Sequence, residues 1–236
     1  MKEYDLAVIG GGPGGYVAAI RGAQRGARVC LVESDAVGGT CLNRGCIPTK
    51  ALYSSARLLR SMRDASSHGI RLAEPVFDFA TAAERKDGVV SQLVDGVAQL
   101  LKGNGVDLYS GRGFLEGPGR VGIRGQGAIG HLHAKSVILA TGGCPLAPEG
   151  FAPGGKNVLT SDEFLAIKDL PKSLLIVGGG YIGCEFAGIF STFGVAVDIV
   201  EQLPTLLARS DRQAVREVEK SFRTAGVKVH LDTAVS

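Results

Sequence analysis

The chain has no tryptophan, so intrinsic protein fluorescence comes from its five tyrosines alone. It has no run of about 18 apolar residues, which excludes an ordinary membrane-spanning helix. It has little net charge: +3 over 236 residues is too small to argue for nucleic acid or a membrane surface. Its start, Met1-Lys2-Glu3-Tyr4-Asp5, enters a strand pattern at once and leaves no room for a signal peptide. Its five cysteines (Cys30, Cys41, Cys46, Cys144, Cys184) are not spaced as a secreted disulfide framework. A reducing cytosol fits better, with any disulfide catalytic. What is abundant is glycine, 35 residues, roughly twice the usual share. Hydrophobic residues at 45% and charged residues at 21% read as a soluble globular chain, long enough for one large domain or two small ones.

The glycines are organised. Leu6-Ala7-Val8-Ile9-Gly10-Gly11-Gly12-Pro13-Gly14-Gly15, running on to Val32-Glu33, recurs 168 positions later. The second copy is Leu174-Leu175-Ile176-Val177-Gly178-Gly179-Gly180-Tyr181-Ile182-Gly183, running on to Val200-Glu201. Each copy reads as strand, glycine turn, helix, strand. The apolar runs 6–9 and 174–177 have the form of parallel strands buried on both faces. The helices are expected at about 14–25 and 182–193, each closed by a glycine, Gly26 and Gly194. The segment after Pro48, to about Arg63, has helical spacing, as does the stretch from about 79 to 102. Short strand-like runs at 106–110, 120–123 and 136–140 suggest an antiparallel excursion that returns to the main sheet. Pro/Gly-rich residues 145–155 read as a linker, with a domain boundary at about 145–157. Thr160-Ser161-Asp162-Glu163 then starts a helix. A helix at about 210–225 and a strand at about 227–231 close the pattern. The expected fold is α/β, with two Rossmann-like dinucleotide-binding units in tandem. The first carries a small antiparallel insertion and the second is incomplete; the domains divide as 1–148 and 149–236.

A glycine cluster alone is weak evidence, because ordinary turns use glycine too. Here each cluster follows a strand, opens a helix, and has an acid at the end of the next strand. Gly10 and Gly178 allow the tight turn. Gly12 and Gly180 let the backbone reach a pyrophosphate, and Gly15 and Gly183 let the helix pack close. The helix N-terminus then stabilises the phosphate charge. Glu33 and Glu201 are placed to accept hydrogen bonds from an adenosine ribose. A carboxylate at Glu201 suits a free 2′-hydroxyl and repels a 2′-phosphate. Gln202-Leu203-Pro204-Thr205 brings no basic residue, so the second site reads as NAD rather than NADP.

Between the copies lies Gly38-Gly39-Thr40-Cys41-Leu42-Asn43-Arg44-Gly45-Cys46-Ile47-Pro48-Thr49-Lys50. Two thiols five positions apart at the mouth of a helix can cycle between dithiol and disulfide. A zinc half-site is the competing use, and it needs a second close Cys or His pair. Cys144 and Cys184 are isolated from each other. Unrelated buried thiols leave the flanking Gly38-Gly39-Thr40, Gly45 and Pro48 without a reason. A thiolate at a helix N-terminus is the better electron donor and leaving group.

Nearly residue for residue, this segment resembles the redox-active disulfide of the flavin (pyridine nucleotide-disulfide) disulfide reductases. The resemblance implies that FAD binds the N-terminal unit, with Gly39 and Thr40 close to it. Thr141-Gly142-Gly143 is similar to the family's strand end beside the cofactor. Gly113, in the turn Gly111-Arg112-Gly113, matches a further backbone contact. It also implies that Cys41 is the interchange thiol and that Cys46 lies against the flavin. Lys50 matches the lysine beside the flavin, and its partner would be Glu185. The wording Cys-Leu-Asn-x-Gly-Cys-Ile-Pro-x-Lys-Ala-Leu is most similar to the dihydrolipoamide dehydrogenase branch, from which Arg44 and Thr49 depart mildly.

The implied activity is oxidation of dihydrolipoyl groups of an acyltransferase or carrier protein, through disulfide and FAD to NAD. Another NAD(P)-linked member, of glutathione or mercuric reductase type, is the alternative within the class. A short nucleotide-binding module without turnover is the alternative outside it. Family members are homodimers about twice this length. Their second FAD segment carries a Gly-Asp, and no such dipeptide occurs here. Their C-terminal His-Glu base has no counterpart among His68, His131, His133 and His230; His131 and His133, which alternate on an expected strand, read as surface or turn residues. The chain is therefore expected to correspond to an N-terminal half that is inactive alone.

Overall fold

The computed structural model describes residues 2–125, 129–146, 151, 153–154 and 157–235. The expected 148/149 division, and part of the 145–157 linker, lie outside the described residues. The chain forms two compact units. The first joins Met1–Pro48 to Asp87–Leu146, and the second joins Thr49–Lys86 to Ala147–Ser236. These packing units therefore depart from chain order: residues 49–86 are built into the second core.

In the first unit β1 (Lys2–Ile9), α1 (Pro13–Gln24) and β2 (Val29–Glu33) form the first repeat copy. A six-residue helix, α2 (Gly39–Arg44), follows and leads into α3 (Cys46–Arg63). After α4 (Phe79–Gly103) come β3 (Asp107–Ser110), β4 (Arg112–Gly117), β5 (Arg120–Arg124) and β6 (Ile129–Leu139). The six strands form one sheet in the order β3-β2-β1-β6-β5-β4. β1 lies parallel to β2 and β6, while β4, β5 and β6 are antiparallel. One face of the sheet packs Val8, Val29 and Leu31 with Ala19 and with Val97 and Leu101 of α4. On the other face Ala7, Ile9, Cys30 and Val32 pack with Val121, Ile123, Leu132 and Ala134 of the antiparallel strands.

The expected excursion is therefore present, with two corrections. The turn expected at Gly111-Arg112-Gly113 is the start of β4, and β6 begins at residue 129 rather than 136. Leu132 and Ala134 are buried while His131, His133 and Lys135 face outward. That is a half-buried strand, whose small and polar residues give little apolar signal.

In the second unit α5 (Ser161–Leu165), β7 (Ser173–Val177), α6 (Tyr181–Thr192), β8 (Ala196–Val200), α7 (Arg212–Thr224) and β9 (Lys228–His230) follow in order. The strands pair in parallel as β7-β8-β9. Phe190 is fully buried at the core, with ring centroids of Phe79, Phe164, Phe186 and Phe193 between 4.5 and 6.3 Å away. Leu52, Ala56 and Leu59 of α3 join the same core, which is why residues 49–86 belong to this unit. α5 carries the expected capping box: Thr160 Oγ1 accepts from Glu163 N–H, and Glu163 Oε2 accepts from Thr160 N–H.

One expectation fails here. The run 174–177 is not buried on both faces, because Leu175 and Val177 remain 57% and 47% exposed. Among the described residues, nothing in this unit covers that face as the antiparallel strands cover Ala7 and Ile9 in the first.

Candidate active site

The two glycine turns have the same backbone. Gly10 and Gly178 sit at φ +105° and +107°, and each donates its N–H to a carbonyl of the neighbouring strand, Val32 and Val200, at 2.8 Å. Only glycine holds that left-handed conformation cheaply. A Cβ on Gly15 would lie 1.8 Å from the Gly10 carbonyl oxygen, and one on Gly183 would lie 2.3 Å from that of Gly178. First and third glycines are thus demanded by the fold itself.

The second glycines are not. Gly12 and Gly180 have φ of −73° and −74°, which any residue adopts. A Cβ on Gly12 would meet nothing closer than Gly39 Cα at 3.6 Å, and one on Gly180 nothing within 4 Å. Each opens at a helix N-terminus, where free N–H groups bind phosphate. A cradle kept bare without a packing reason fits a dinucleotide pyrophosphate at each turn.

The two acids are also superimposable in role. Glu33 Oε2 accepts from Gly11 N–H at 2.5 Å and its Oε1 from Asp35 N–H at 2.9 Å. Glu201 Oε2 accepts from Gly179 N–H at 2.6 Å and its Oε1 from Leu203 N–H at 2.8 Å. Both carboxylates therefore brace their own turn. Sequence reasoning assigned them to the ribose and missed this bracing, although the shared spacing of the two copies held the signal. Glu33 Oε1 also accepts from Ser34 Oγ at 3.3 Å, but the Oε2 of each acid has a second lone pair, so a ribose hydroxyl can still be accepted.

Thr141 follows β6 beside the first turn. Ala140 N–H donates to the Ile9 carbonyl at 2.8 Å, and a Cβ on Gly10 would lie 3.1 Å from Thr141 N. Thr141, Gly142 and Gly143 are exposed there. Gly113 is different. Its Cβ would lie 2.8 Å from Ile9 Cγ2 and 3.2 Å from Val32 Cγ1, so packing of β4 over β1 and β2 accounts for glycine at this position.

The cysteine segment is docked on the first turn. Gly38 and Gly39 have φ of +103° and +62°, Gly38 N–H donates to the Gly11 carbonyl at 2.8 Å, and a Cβ on Gly39 would fall 2.5 Å from Gly12 Cα. Thr40 is exposed and Cys41 half-buried, within α2, and Cys46 is the exposed first residue of α3. A Cβ on Gly45 would meet Thr40 O at 3.0 Å and Cys41 Cα at 3.3 Å. The bare backbone at Gly45 thus lets the chain fold back on Cys41 just before it delivers Cys46. Pro48 is tolerated because it lies in the first turn of α3.

One turn further on, Lys50 Nζ meets both carboxylate oxygens of Glu185 in α6, at 2.7 and 3.0 Å. The other cysteines are chemically apart. Burial pushes the Cys30 thiol up to about 12 and the Cys184 thiol up to about 11, so both stay protonated. Cys144 is exposed beyond Gly143. In the first unit His133 pairs with Glu3 near the start of β1, and His131 with Gly122 of β5, about 20 Å from the glycine turn at 3.3 Å per residue. His131 Nδ1 lies 2.9 Å from Glu116.

The chain thus carries a cysteine helix that starts on one glycine turn and a second turn of the same build. The profile of the pyridine nucleotide-disulphide oxidoreductases matches residues 4–236. The chain belongs to this family. It is 44% identical over 235 residues to the dihydrolipoyl dehydrogenase of Acholeplasma laidlawii, covering 97% of this chain and 68% of that protein. It is 42% identical to that of Bacillus subtilis, covering 96% of this chain and 50% of the relative. It is 47% identical to dihydrolipoyl dehydrogenase 2 of Haloarcula marismortui, covering 98% and 49%. Among solved structures, the HOCl-induced flavoprotein disulfide reductase RclA from Escherichia coli superposes with a TM-score of 0.84 at 31% identity, covering 99% of this chain and 50% of that one. The chain thus spans about half the length of most of the relatives it matches. No described helix is long and apolar enough to cross a membrane.

Proposed function

We propose that this pyridine nucleotide-disulphide oxidoreductase chain carries the redox centre and nucleotide turns of a dihydrolipoyl dehydrogenase, with FAD at the first turn and NAD at the second. The docking of the Cys41 helix on the Gly10–Gly12 turn carries the reading, because it seats a dithiol against a nucleotide site. Glu201, with no basic residue in 202–205, supports NAD over NADP.

The chemistry of the chain's own residues follows. A thiolate of the dihydrolipoyl group attacks Cys41 Sγ of the Cys41–Cys46 disulfide. The S–S bond breaks and Cys46 leaves as a thiolate. The second substrate thiol then attacks the mixed disulfide, closing the lipoyl ring and releasing Cys41. Two electrons have moved from substrate to protein, and the substrate has lost two protons. FAD, when bound, supplies the two-electron link onward to the pyridine nucleotide. Thr141–Gly143, Gly39 and Thr40 are proposed to line the flavin, and the family resemblance gives the Lys50–Glu185 pair the role of setting how readily electrons pass. A proton acceptor for the substrate thiols is needed, and the first unit's histidines lie at the far end of its sheet. The 236-residue chain by itself is therefore expected not to turn over. The lipoyl partner, a homodimer and a reducing cytosolic setting complete the proposal; Cys30 and Cys184, held as buried thiols, suit that setting.

The test is direct exchange. The oxidised chain is treated with dihydrolipoamide, and free thiols are alkylated and mapped by mass spectrometry. Reduction confined to Cys41 and Cys46 is expected. Cys41→Ser should leave Cys46 alkylated before any reductant is added. Failure of dihydrolipoamide to open a Cys41–Cys46 disulfide refutes the assignment.

A further inference from the structure

The loop between Glu33 and α2 is tied to the cysteine helix by one side chain. Asn43 Nδ2 lies 3.2 Å from the Ala36 carbonyl, 3.2 Å from that of Val37 and 3.0 Å from that of Gly39. An amide NH2 has two hydrogens, so one of them is shared between acceptors. The Ala36 and Val37 carbonyls belong to a stretch outside any strand or helix, and Gly39 is the first residue of α2. The chain passes there through two consecutive left-handed glycines, Gly38 and Gly39. Asn43 lies between the cysteines, two positions after Cys41 and three before Cys46. An ion pair between Arg44 Nη2 and Asp35 Oδ2 joins the same loop to the same helix at its exposed edge. α2 is only six residues long, far below the length at which a helix holds itself in water. Its order must come from such ties.

We propose that Asn43 is a positioning residue for the Cys41–Cys46 pair: it locks α2 onto the Ala36–Val37 loop and so presets the approach of the two thiols. The proposal rests on the redox reading of that pair. The three contacts are all to acceptors, which fixes the chemistry required at position 43 as a donor. An alanine removes this donor from the Ala36 and Val37 carbonyls. An aspartate sets a carboxylate against them. Either change lets α2 drift relative to Cys46. Fixing two reactive groups in place is worth a large factor in effective concentration, and loosening that fixation favours the open dithiol over the closed disulfide.

The experiment uses the full 236-residue chain, equilibrated in dithiothreitol redox buffers, acid-quenched and read by mass spectrometry at Cys41 and Cys46. Asn43→Ala and Asn43→Asp are expected to lower the equilibrium constant for disulfide closure about tenfold, equivalent to about 30 mV for a two-electron couple. Asn43→Ser keeps one donor, is the milder change should the others fold poorly, and is expected to fall between them and wild type. Thermal melts are recorded alongside, because a purely structural role lowers the melting temperature and leaves the redox constant alone. If wild type closes the disulfide and the folded variants stay within threefold of its constant, the positioning role is wrong while the redox reading stands. If wild type does not close it at all, the redox reading falls and the positioning role with it.

Discussion

The bare second glycine of each turn makes an experiment that separates folding from ligand. Consider Gly12→Ala beside Gly15→Ala, three positions apart in one turn. At Gly15 the new Cβ would sit 1.8 Å from a backbone oxygen, so α1 must part from the β1 turn by roughly 1.5 Å to restore van der Waals contact. Overpacking costs about 1–3 kcal/mol. The obstacle here is backbone rather than a flexible side chain, so the upper end applies. That corresponds to a fall of roughly 6–12 °C in melting temperature for a chain of this size. At Gly12 the nearest atom is 3.6 Å away and φ is −73°. Loss of chain entropy in the unfolded state favours the alanine by up to about 1 kcal/mol, and loss of a good N-cap residue opposes it by a similar amount. The melting temperature should stay within about 3 °C of wild type. The ligand sees the reverse. A methyl in the pyrophosphate cradle should weaken FAD binding by roughly 10- to 100-fold, the same 1–3 kcal/mol applied to the complex. Differential scanning calorimetry gives the first quantity and flavin fluorescence titration the second. If Gly12→Ala melts as low as Gly15→Ala, or binds FAD as wild type does, the cradle argument is wrong.

Two further outcomes are expected. The buried thiols carry a pH signature, since Cys30 and Cys184 are raised from 9.0 to about 12 and about 11. The folded chain keeps protons that the unfolded chain releases, so stability is intact below pH 9 and declines as pH rises toward 11 and beyond. Urea midpoints at intervals from pH 8 to 11 should fall, and the fall should be shallower in Cys184→Ala; a flat profile contradicts the burial argument. The acid at Glu201 should make the second turn prefer NAD to NADP by at least about tenfold, or about 1.4 kcal/mol, by calorimetric titration of both. Equal affinities would remove the case for a free 2′-hydroxyl.

The sequence pattern was most legible where it repeats. Both glycine turns, the helices they open and the glycines Gly26 and Gly194 that close them lie within a residue of the periodic pattern, because strand, turn and helix there are each specified locally. Three things were not local. β4 escaped notice because Arg112–Gly117 has no alternation, and Gly113 is shaped by Ile9 and Val32 far away in the chain. α2 escaped notice because a helix that begins at Gly39 has no intrinsic preference to form; it exists through Asn43 and its seat on Gly12. The exposure of Leu175 and Val177 escaped notice because an apolar run shows that a strand exists but not which of its faces is covered. The Lys50–Glu185 contact spans 135 positions and is invisible to spacing; only the resemblance to a known family suggested it.

The two repeat copies also differ where the proposed thiol chemistry would sit. Up to the acid they match bond for bond: first glycine to strand carbonyl, Gly11 or Gly179 N–H to the acid, and the N–H two residues on to the same acid. They part at the next contact. In the second copy Leu207 N–H closes on the Gly179 carbonyl at 2.9 Å, and buried Leu206 fills the space over that turn, its Cδ2 only 2.4 Å from where a Cβ on Gly179 would sit. In the first copy the same carbonyl position, Gly11, is met by Gly38 at 2.8 Å. No leucine follows. Gly39 comes next, so the chain approaches Gly12 backbone to backbone and starts α2 on top of the turn. A side chain at 39 would be 2.5 Å from Gly12 Cα and would lift that helix away. The glycine pair Gly38-Gly39 is therefore what lets α2 and Cys41 sit against the first turn, and the redox role proposed for the first unit builds on that approach.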